Sequence, residues 1–244
     1  MIPGRQWGIL AKVTMTFLAV AKECNFCMDL TGELKRRLFE ESPFSIHHKR
    51  KDDGIMKGVD VSYANGRVDW DAVAAAGYKF AICRCTYGRH GIDDTFIENV
   101  NGAHAAGLQV GAYHYSYALN VSQAIEEAEH CRKVIEDSGV LLELPVWFDM
   151  EDADGYKANN GFAFDPNEIT AMCRAFLDNI QLNCGVYASY SWLTTYIDWQ
   201  SLGCAVWNAE WGPGDDIKGM MWQYTDNQHI PGAGYFDANY IYES

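Results

Sequence analysis

The stretch Leu144-Pro145-Val146-Trp147-Phe148-Asp149-Met150-Glu151 enters through a proline, runs apolar, and ends on two carboxylates two positions apart. A short apolar run of this kind reads as a strand buried on both faces. On a strand, residues i and i+2 project to one side, so the Cα atoms of Asp149 and Glu151 are expected roughly 6.5–7 Å apart at ~3.3 Å of rise per residue. Two acids facing one way at the end of a buried strand repel each other. Such pairs split their pKa values, giving one site a proton donor and an anion together. That is equipment for breaking a glycosidic bond. The same tripeptide, followed by Asp152-Ala153-Asp154, also reads as a solvated acidic loop.

Outward from this stretch, strands and helices alternate. Strands are expected at Gly58–Ser62, Phe80–Cys85, Gln109–Tyr115 and Gly185–Ala188, with further apolar segments at Ala205–Trp207 and Met220–Tyr224. Helices are expected at Val68–Ala76, Thr95–Ala106, Ser122–Asp137 and Pro166–Leu182, the last with Asp165 as N-cap and Pro166 in its first position. Repeated βα units mean a parallel sheet, open or closed. No Gly-x-Gly-x-x-Gly follows the first strand, which speaks against a nucleotide site. Asp60, Ser62, Arg84, His114, Asp149 and Glu151 gather at strand C-terminal ends, the rim where barrels carry their active sites. A closed barrel fits best.

The chain of 244 residues carries a net charge of −14. That argues against nucleic acid or an anionic membrane as partner. The charge is uneven: residues 1–55 hold nine Lys/Arg and seven Asp/Glu, a balance of +2, and residues 56–244 hold −16. Val13–Ala21 reads as a weak secretory segment too short to span a membrane. Lys22–Lys57 is charged and patternless, the look of a linker. Residues 1–55 are therefore expected to be a leader or linker and 56–244 the catalytic domain. Among eight cysteines only Cys24-Asn25-Phe26-Cys27 has metal or redox spacing, and no second pair accompanies it. Cys83, Cys85, Cys131, Cys173, Cys184 and Cys204 fall in apolar patterns and are expected as free, buried thiols. His47-His48 reads as solvent-exposed. Eight Trp and fourteen Tyr suit the stacking of sugars, and equally a core.

Taken in order, Gly58-Val59-Asp60-Val61-Ser62, Val68-Asp69-Trp70, Phe80-Ala81-Ile82-Cys83-Arg84, Asp94 with Phe96 and Asn99, and Gly111-Ala112-Tyr113-His114-Tyr115-Ser116 form one series of motifs. It continues through Asp149-Met150-Glu151, Gly185-Val186-Tyr187, Trp207-Asn208-Ala209, Trp222-Gln223-Tyr224-Thr225 and Asp237-Ala238-Asn239. The series, spanning about residues 58–240, resembles the glycoside hydrolase family 25 lysozymes, the Chalaropsis-type muramidases. It departs at Ala64-Asn65, where a Gln-Gly style turn is common, and in the loop Asp226–Phe236, a residue shorter than usual.

The resemblance implies a flattened, irregular (β/α) barrel of eight strands with fewer than eight helices. It implies peptidoglycan glycan strands as substrate, cut at the β-1,4 bond between N-acetylmuramic acid and N-acetylglucosamine, with no metal and no cofactor. Carried over residue by residue, the acids are Asp60, Asp149, Glu151 and Asp237. Glu151 would be the general acid, with Asp149 as the anion that raises its pKa. Tyr113, Tyr115, Tyr187, Trp207 and Trp222 would stack on sugars or fill the core. Arg84 would pair with a rim carboxylate, and His114 is expected as a hydrogen-bonded rim histidine. A monomer is expected, working outside the cell or in the wall, or held in the cytoplasm until phage lysis. Two other readings are a silent glycan-binding module and a metal-dependent wall hydrolase or deacetylase using Asp60, His114 and Asp149.

A chain beginning at Met56 is expected to keep the thermal transition and wall-lytic rate of the full chain within about twofold, since the basic segment lacks periodicity. Insolubility or loss of lysis would put the domain boundary elsewhere.

Overall fold

The computed structural model describes residues 54–242. The readings of the apolar run, Cys24–Cys27, His47-His48 and the linker up to residue 53 lie outside the described residues, while its last residues, Ile55 to Lys57, are strand and pair with Tyr242 to Tyr240.

Nine strands form one sheet: β1 (Ile55–Val61), β2 (Phe80–Tyr87), β3 (Gly91–Ile92), β4 (Gln109–Tyr115), β5 (Val146–Asp149), β6 (Cys184–Ser189), β7 (Ala205–Ala209), β8 (Met221–Ile230) and β9 (Gly234–Tyr242). Eight of them close a barrel in the order β1-β2-β4-β5-β6-β7-β8-β9, with β9 returning to β1. Neighbours run parallel except β9, which is antiparallel to both β8 and β1. The two-residue β3 hangs outside as a hairpin on the end of β2. Seven α-helices are described: α1 (Trp70–Ala75), α2 (Phe96–Ala105), α3 (Val121–Ser138), α4 (Tyr156–Asn159), α5 (Pro166–Ile180), α6 (Tyr190–Thr195) and α7 (Trp199–Leu202). This is the expected eight-stranded barrel with fewer than eight helices.

The expected strands and long helices form within a few residues of their predicted ends. The helix at 166 begins as its sequence dictates, with Asp165 Oδ1 accepting from the Asn167 N–H at 2.8 Å and Pro166 in the first turn. The segment 226–236, read as a loop, is mostly strand: β8 runs on to Ile230 and β9 starts at Gly234. Polar outward residues hide this hairpin from a reading based on apolar runs. Its pairing comes instead from closing the barrel.

Period-two alternation sorts the strand residues into two layers, interrupted by register shifts on β2 and β8. Outward residues such as Ala81, Cys83, Val110, Ala112, Val146, Phe148 and Val186 pack with α3 and α5 residues, including Ile135, Met172 and Phe176. Inward residues form a separate apolar plug of Phe80, Ile82, Trp147, Tyr187, Trp207, Met221 and Ile241. The six cysteines among the described residues are free thiols, four of them buried.

Three inward glycines make room for that plug. A Cβ on Gly58 would collide with the Phe80 ring, one on Gly111 would meet Ile82 and the Pro145 carbonyl at 2.8 Å, and one on Gly185 would meet Trp147 at 2.5 Å. Barrel interiors pair small residues with large ones in this way. Gly185→Ala is expected to cost about 1–3 kcal/mol as overpacking. Gly214→Ala, with no atom within 4 Å of the added carbon, is expected to be neutral. Urea midpoints of the two variants check the pair.

Candidate active site

Above the plug, the next inward positions are polar. Asp60 on β1 lies opposite Asp237 on β9. Tyr115 on β4 pairs with Asp149 on β5, and Asp149 with Tyr187 on β6. Glu151, two residues beyond Asp149, keeps the same inward parity in the following loop. The four acids therefore meet at the C-terminal mouth of the barrel, around Tyr187, whose ionisation all four oppose.

Asp60 is the best-solvated carboxylate of the group by proxy. Its Oδ2 accepts from Asn239 Nδ2 at 2.8 Å and Gln223 Nε2 at 3.0 Å. Those amides are held in turn: Trp207 Nε1 donates to Asn239 Oδ1 at 2.9 Å, while the Tyr187 hydroxyl at 3.1 Å and Trp211 Nε1 at 3.2 Å donate to Gln223 Oε1. Burial lifts Asp60 to about 6 and the amide donors hold it down. Asp237 is lifted to about 8, by burial first and then by the charge of Asp60. Two carboxyls in contact need one proton between them. Asp237, with the higher pKa, carries it and donates to Asp60.

Asp149 is the deepest of these four acids, 4% exposed, and its Oδ1 has no hydrogen-bond partner. Burial, then the charge of Glu151, pushes it well above the carboxylate range, against the pull of Lys157 and Arg84. Glu151 is lifted to about 7 by burial, with Lys157 lowering it and Asp154, Asp60 and Asp152 raising it. The expectation made Asp149 the anion that raises Glu151; burial is the first cause of the Glu151 rise, and the Glu151 charge raises Asp149 in turn.

Tyr187 is buried and Tyr113 half-buried beneath the acids, and Tyr115 lines the mouth beside Glu151, Asp149 and Asp154. Trp207 is 2% exposed and packs edge-to-face on Trp147 and Tyr187. It is core and offers no face to a ligand. Trp222 points out of the barrel, beside Tyr224 and Tyr240, and donates to the Glu210 carbonyl. Parity explains this: Met221 and Gln223 on either side of it point in. Arg84 does pair with a rim carboxylate, Asp93, at 2.8 Å, with its guanidinium over the Tyr63 and Tyr87 rings.

His114 is not on the rim. It points outward into the helix layer, buried against Phe148 and Phe176, with Nδ1 2.8 Å from Thr86 Oγ1 and Nε2 3.3 Å from Glu127 Oε2. A shift in the β2–β4 register between Arg84 and Thr86 turns Thr86 outward to meet it. Asp60, His114 and Asp149 therefore do not converge, which removes the donor set of the metal-hydrolase reading.

Several mouth residues escaped the sequence reading. Gln223 and Asn239 were visible only as motif letters. Trp211, 60% exposed, stands two residues beyond the inward Ala209, so strand parity was its signal. Lys157 gave none, because a lysine in a short polar helix reads as solvated.

The family model for "Glycosyl hydrolases family 25" matches residues 59–233. Asp60, Asp149 and Glu151 lie inside that match and Asp237 just beyond it. The autolytic lysozyme of Clostridium acetobutylicum is 29% identical over 183 residues, 72% of this chain and 52% of that protein. Lysozyme M1 of Streptomyces globisporus is 25% identical over 209 residues, 77% of this chain and 68% of that one. Among solved structures, the modular autolysin LytC of Streptococcus pneumoniae, determined with a synthetic peptidoglycan ligand, superposes with a TM-score of 0.70 at 22% identity, over 79% of this chain and 48% of that one. A family 25 glycosyl hydrolase of Bacillus anthracis gives 0.61 at 24% identity, over 82% and 94%. The match thus spans about half the length of the first-named lysozyme and of the pneumococcal autolysin. An eight-stranded barrel with one antiparallel closing strand and an acid-lined mouth is the architecture of a sugar-cleaving enzyme of this kind, and the chain belongs to glycosyl hydrolase family 25.

Burial raises the folded-state pKa of Asp237 from an unfolded value of roughly 3.9 to about 8. A raised pKa adds stability below the unfolded value, and that stability is lost as pH climbs through the folded one. Wild-type Tm is therefore expected to fall between pH 4 and about 8. Asp237→Asn keeps a donor to Asp60 without a titrating proton, so it should flatten this slope and melt a few degrees higher at pH 9. Calorimetry across the range checks it.

Proposed function

We propose that this chain hydrolyses peptidoglycan as a lysozyme, cutting the β-1,4 bond between N-acetylmuramic acid and N-acetylglucosamine. The observation that carries the reading is the stacked acid pair at the end of β5, with Glu151 at the mouth and Asp149 beneath it. Family membership and the lysozymes it is similar to support the same substrate class.

Glu151 is the proton donor. It is the half-buried member of the pair, and a carboxyl lifted to about 7 holds its proton where a donor working near neutrality needs it. The glycosidic C–O bond breaks as the Glu151 proton passes to the leaving oxygen. Positive charge then grows on the sugar, and Asp60, the anion of the basin, faces it. Asp149 orients the N-acetyl group from below; water then adds its oxygen to the sugar carbon and returns its proton to Glu151. Tyr115 and Trp211 offer ring surface at the mouth for the sugars. The protein acts as a monomer at the wall, outside the cell or after release into it.

Activity is expected to follow a narrow bell, falling below about 6 as Asp60 gains a proton and above about 7 as Glu151 loses one. Glu151→Gln should lower kcat by at least ~10²-fold while glycan binding survives. Asp149→Asn should also cripple turnover, and the double variant should be little worse than either single one, because the pair acts as a unit. The measurement is a pH–rate profile on soluble peptidoglycan fragments, with the new reducing ends identified. A Glu151→Gln enzyme that keeps more than about a tenth of kcat moves the donor role to Asp237 or Asp60.

A further inference from the structure

Lys157 is the one lysine or arginine buried among the described residues, at 1% exposure. It sits on α4, six residues past Glu151. Its Nζ donates to the Glu151 carbonyl at 2.8 Å and to the Ser116 carbonyl just beyond β4. The ammonium thus ties the loop that carries Glu151 to the end of the neighbouring strand. Asp152 winds the same loop back onto α4, accepting from the Lys157 N–H at 2.6 Å and the Ala158 N–H at 3.0 Å.

The choice of residue is unusual. Lys157 makes no ion pair among the described residues. A charge buried on neutral carbonyls is costly, and an uncharged donor could tie the same two carbonyls. What only lysine or arginine adds is the fixed positive charge.

That charge is surrounded by acids. Glu127 reaches it from α3, fully buried, accepting from Ser116 Oγ at 2.8 Å and the Tyr117 N–H at 2.9 Å, with His114 on its far side. Asp149 reaches it from β5, Glu151 and Asp152 from the loop, and the Cys173 thiol from α5. Glu151 in turn faces Asp60 and Asp154, with Tyr115 and Tyr187 beside it.

We propose that Lys157 is a positioning residue of the glycosidase site: its ammonium pins the Glu151 main chain to the end of β4 and supplies the fixed cation against which the Asp149–Glu151 pair gives up and regains its proton. This rests on the reading of Glu151 as donor. When Glu151 protonates the leaving oxygen, the basin becomes one charge more negative with little water to screen it. A fixed cation beside the pair lowers the cost of that state without moving. Burial depresses the Lys157 pKa, and Glu127, Asp149, Asp152 and Glu151 hold it up, so the cation and the acids depend on each other.

The test is the pH dependence of kcat and kcat/KM on soluble glycan fragments, with a thermal melt for each variant. Lys157→Gln keeps a donor to the two carbonyls and removes the charge. The acids should then titrate higher, so the alkaline limb should move up by about one pH unit while kcat falls about tenfold and KM holds. Lys157→Arg should keep the limb in its wild-type place. Glu127→Gln removes an anion near the same cation, and should move the limb down. A profile scaled down without moving, with Lys157→Arg no better than Lys157→Gln, overturns the proposal and leaves a structural tether. If Lys157→Gln does not fold, Lys157→Met, which fills the same space without charge, takes its place, and a limb that stays put there overturns the proposal equally. Glu151→Gln separates this proposal from the reading it rests on. An active Glu151→Gln enzyme sinks the donor assignment, whereas the opposite-signed shifts at Lys157 and Glu127 report the cation whichever carboxyl donates.

Discussion

β9 closes the barrel by running antiparallel to both its neighbours, and that reversal sets Asp237 directly across from Asp60. A parallel eighth strand would have brought its C-terminal end to this mouth, as β1 and β5 do, whereas the antiparallel one brings its first residues. The antiparallel one delivers it from within the sheet, in hydrogen-bonding contact. From that contact the rest of the mouth follows. One carboxyl must keep a proton, the other becomes the anion, and a second layer of Gln223 and Asn239 is needed to hold it charged. Trp207, which looks like a sugar platform in the sequence, is spent on orienting Asn239.

The mouth packs more acid than it can ionise. Asp60, Asp149, Glu151 and Asp237 are all lifted by burial before any neighbour is considered. The protein meets this load in three ways. Amide donors stabilise the Asp60 anion, a shared proton quiets Asp237, and a buried lysine stands behind Asp149 and Glu151. Each device sits on a different element, so the charge state of the site depends on the barrel being closed.

Much of this was legible in the chain. Apolar runs with period two gave the strands, and glycine and proline punctuation gave the helix ends. The i, i+2 acids stood out because burial and charge conflict there. What stayed hidden was whatever depends on parity relative to a closed ring. His114 and Trp222 sit in the right motifs, yet face outward, because inside and outside are assigned by the barrel and not by residue type. The β2 register shift that turns Thr86 outward leaves no mark in composition. Lys157 was invisible for a different reason: only a folded loop shows that a polar helix of four residues has its lysine pointing inward. The β8–β9 hairpin was missed because an edge-to-edge closure does not require apolar residues on both faces.

The plug of Phe80, Trp147, Trp207 and Met221 beneath the acids has a consequence for traffic. It makes the barrel a blind well with one doorway, shared by sugar, water and the proton that must be returned after each cut. A glycan lying across that doorway is also a stopper. In the proposed reaction the water that completes a cut carries the proton that reloads the acid, so it has to enter past whatever still lies across the opening. For the activity proposed above, the leaving half of the sugar chain must therefore move before water can take its place.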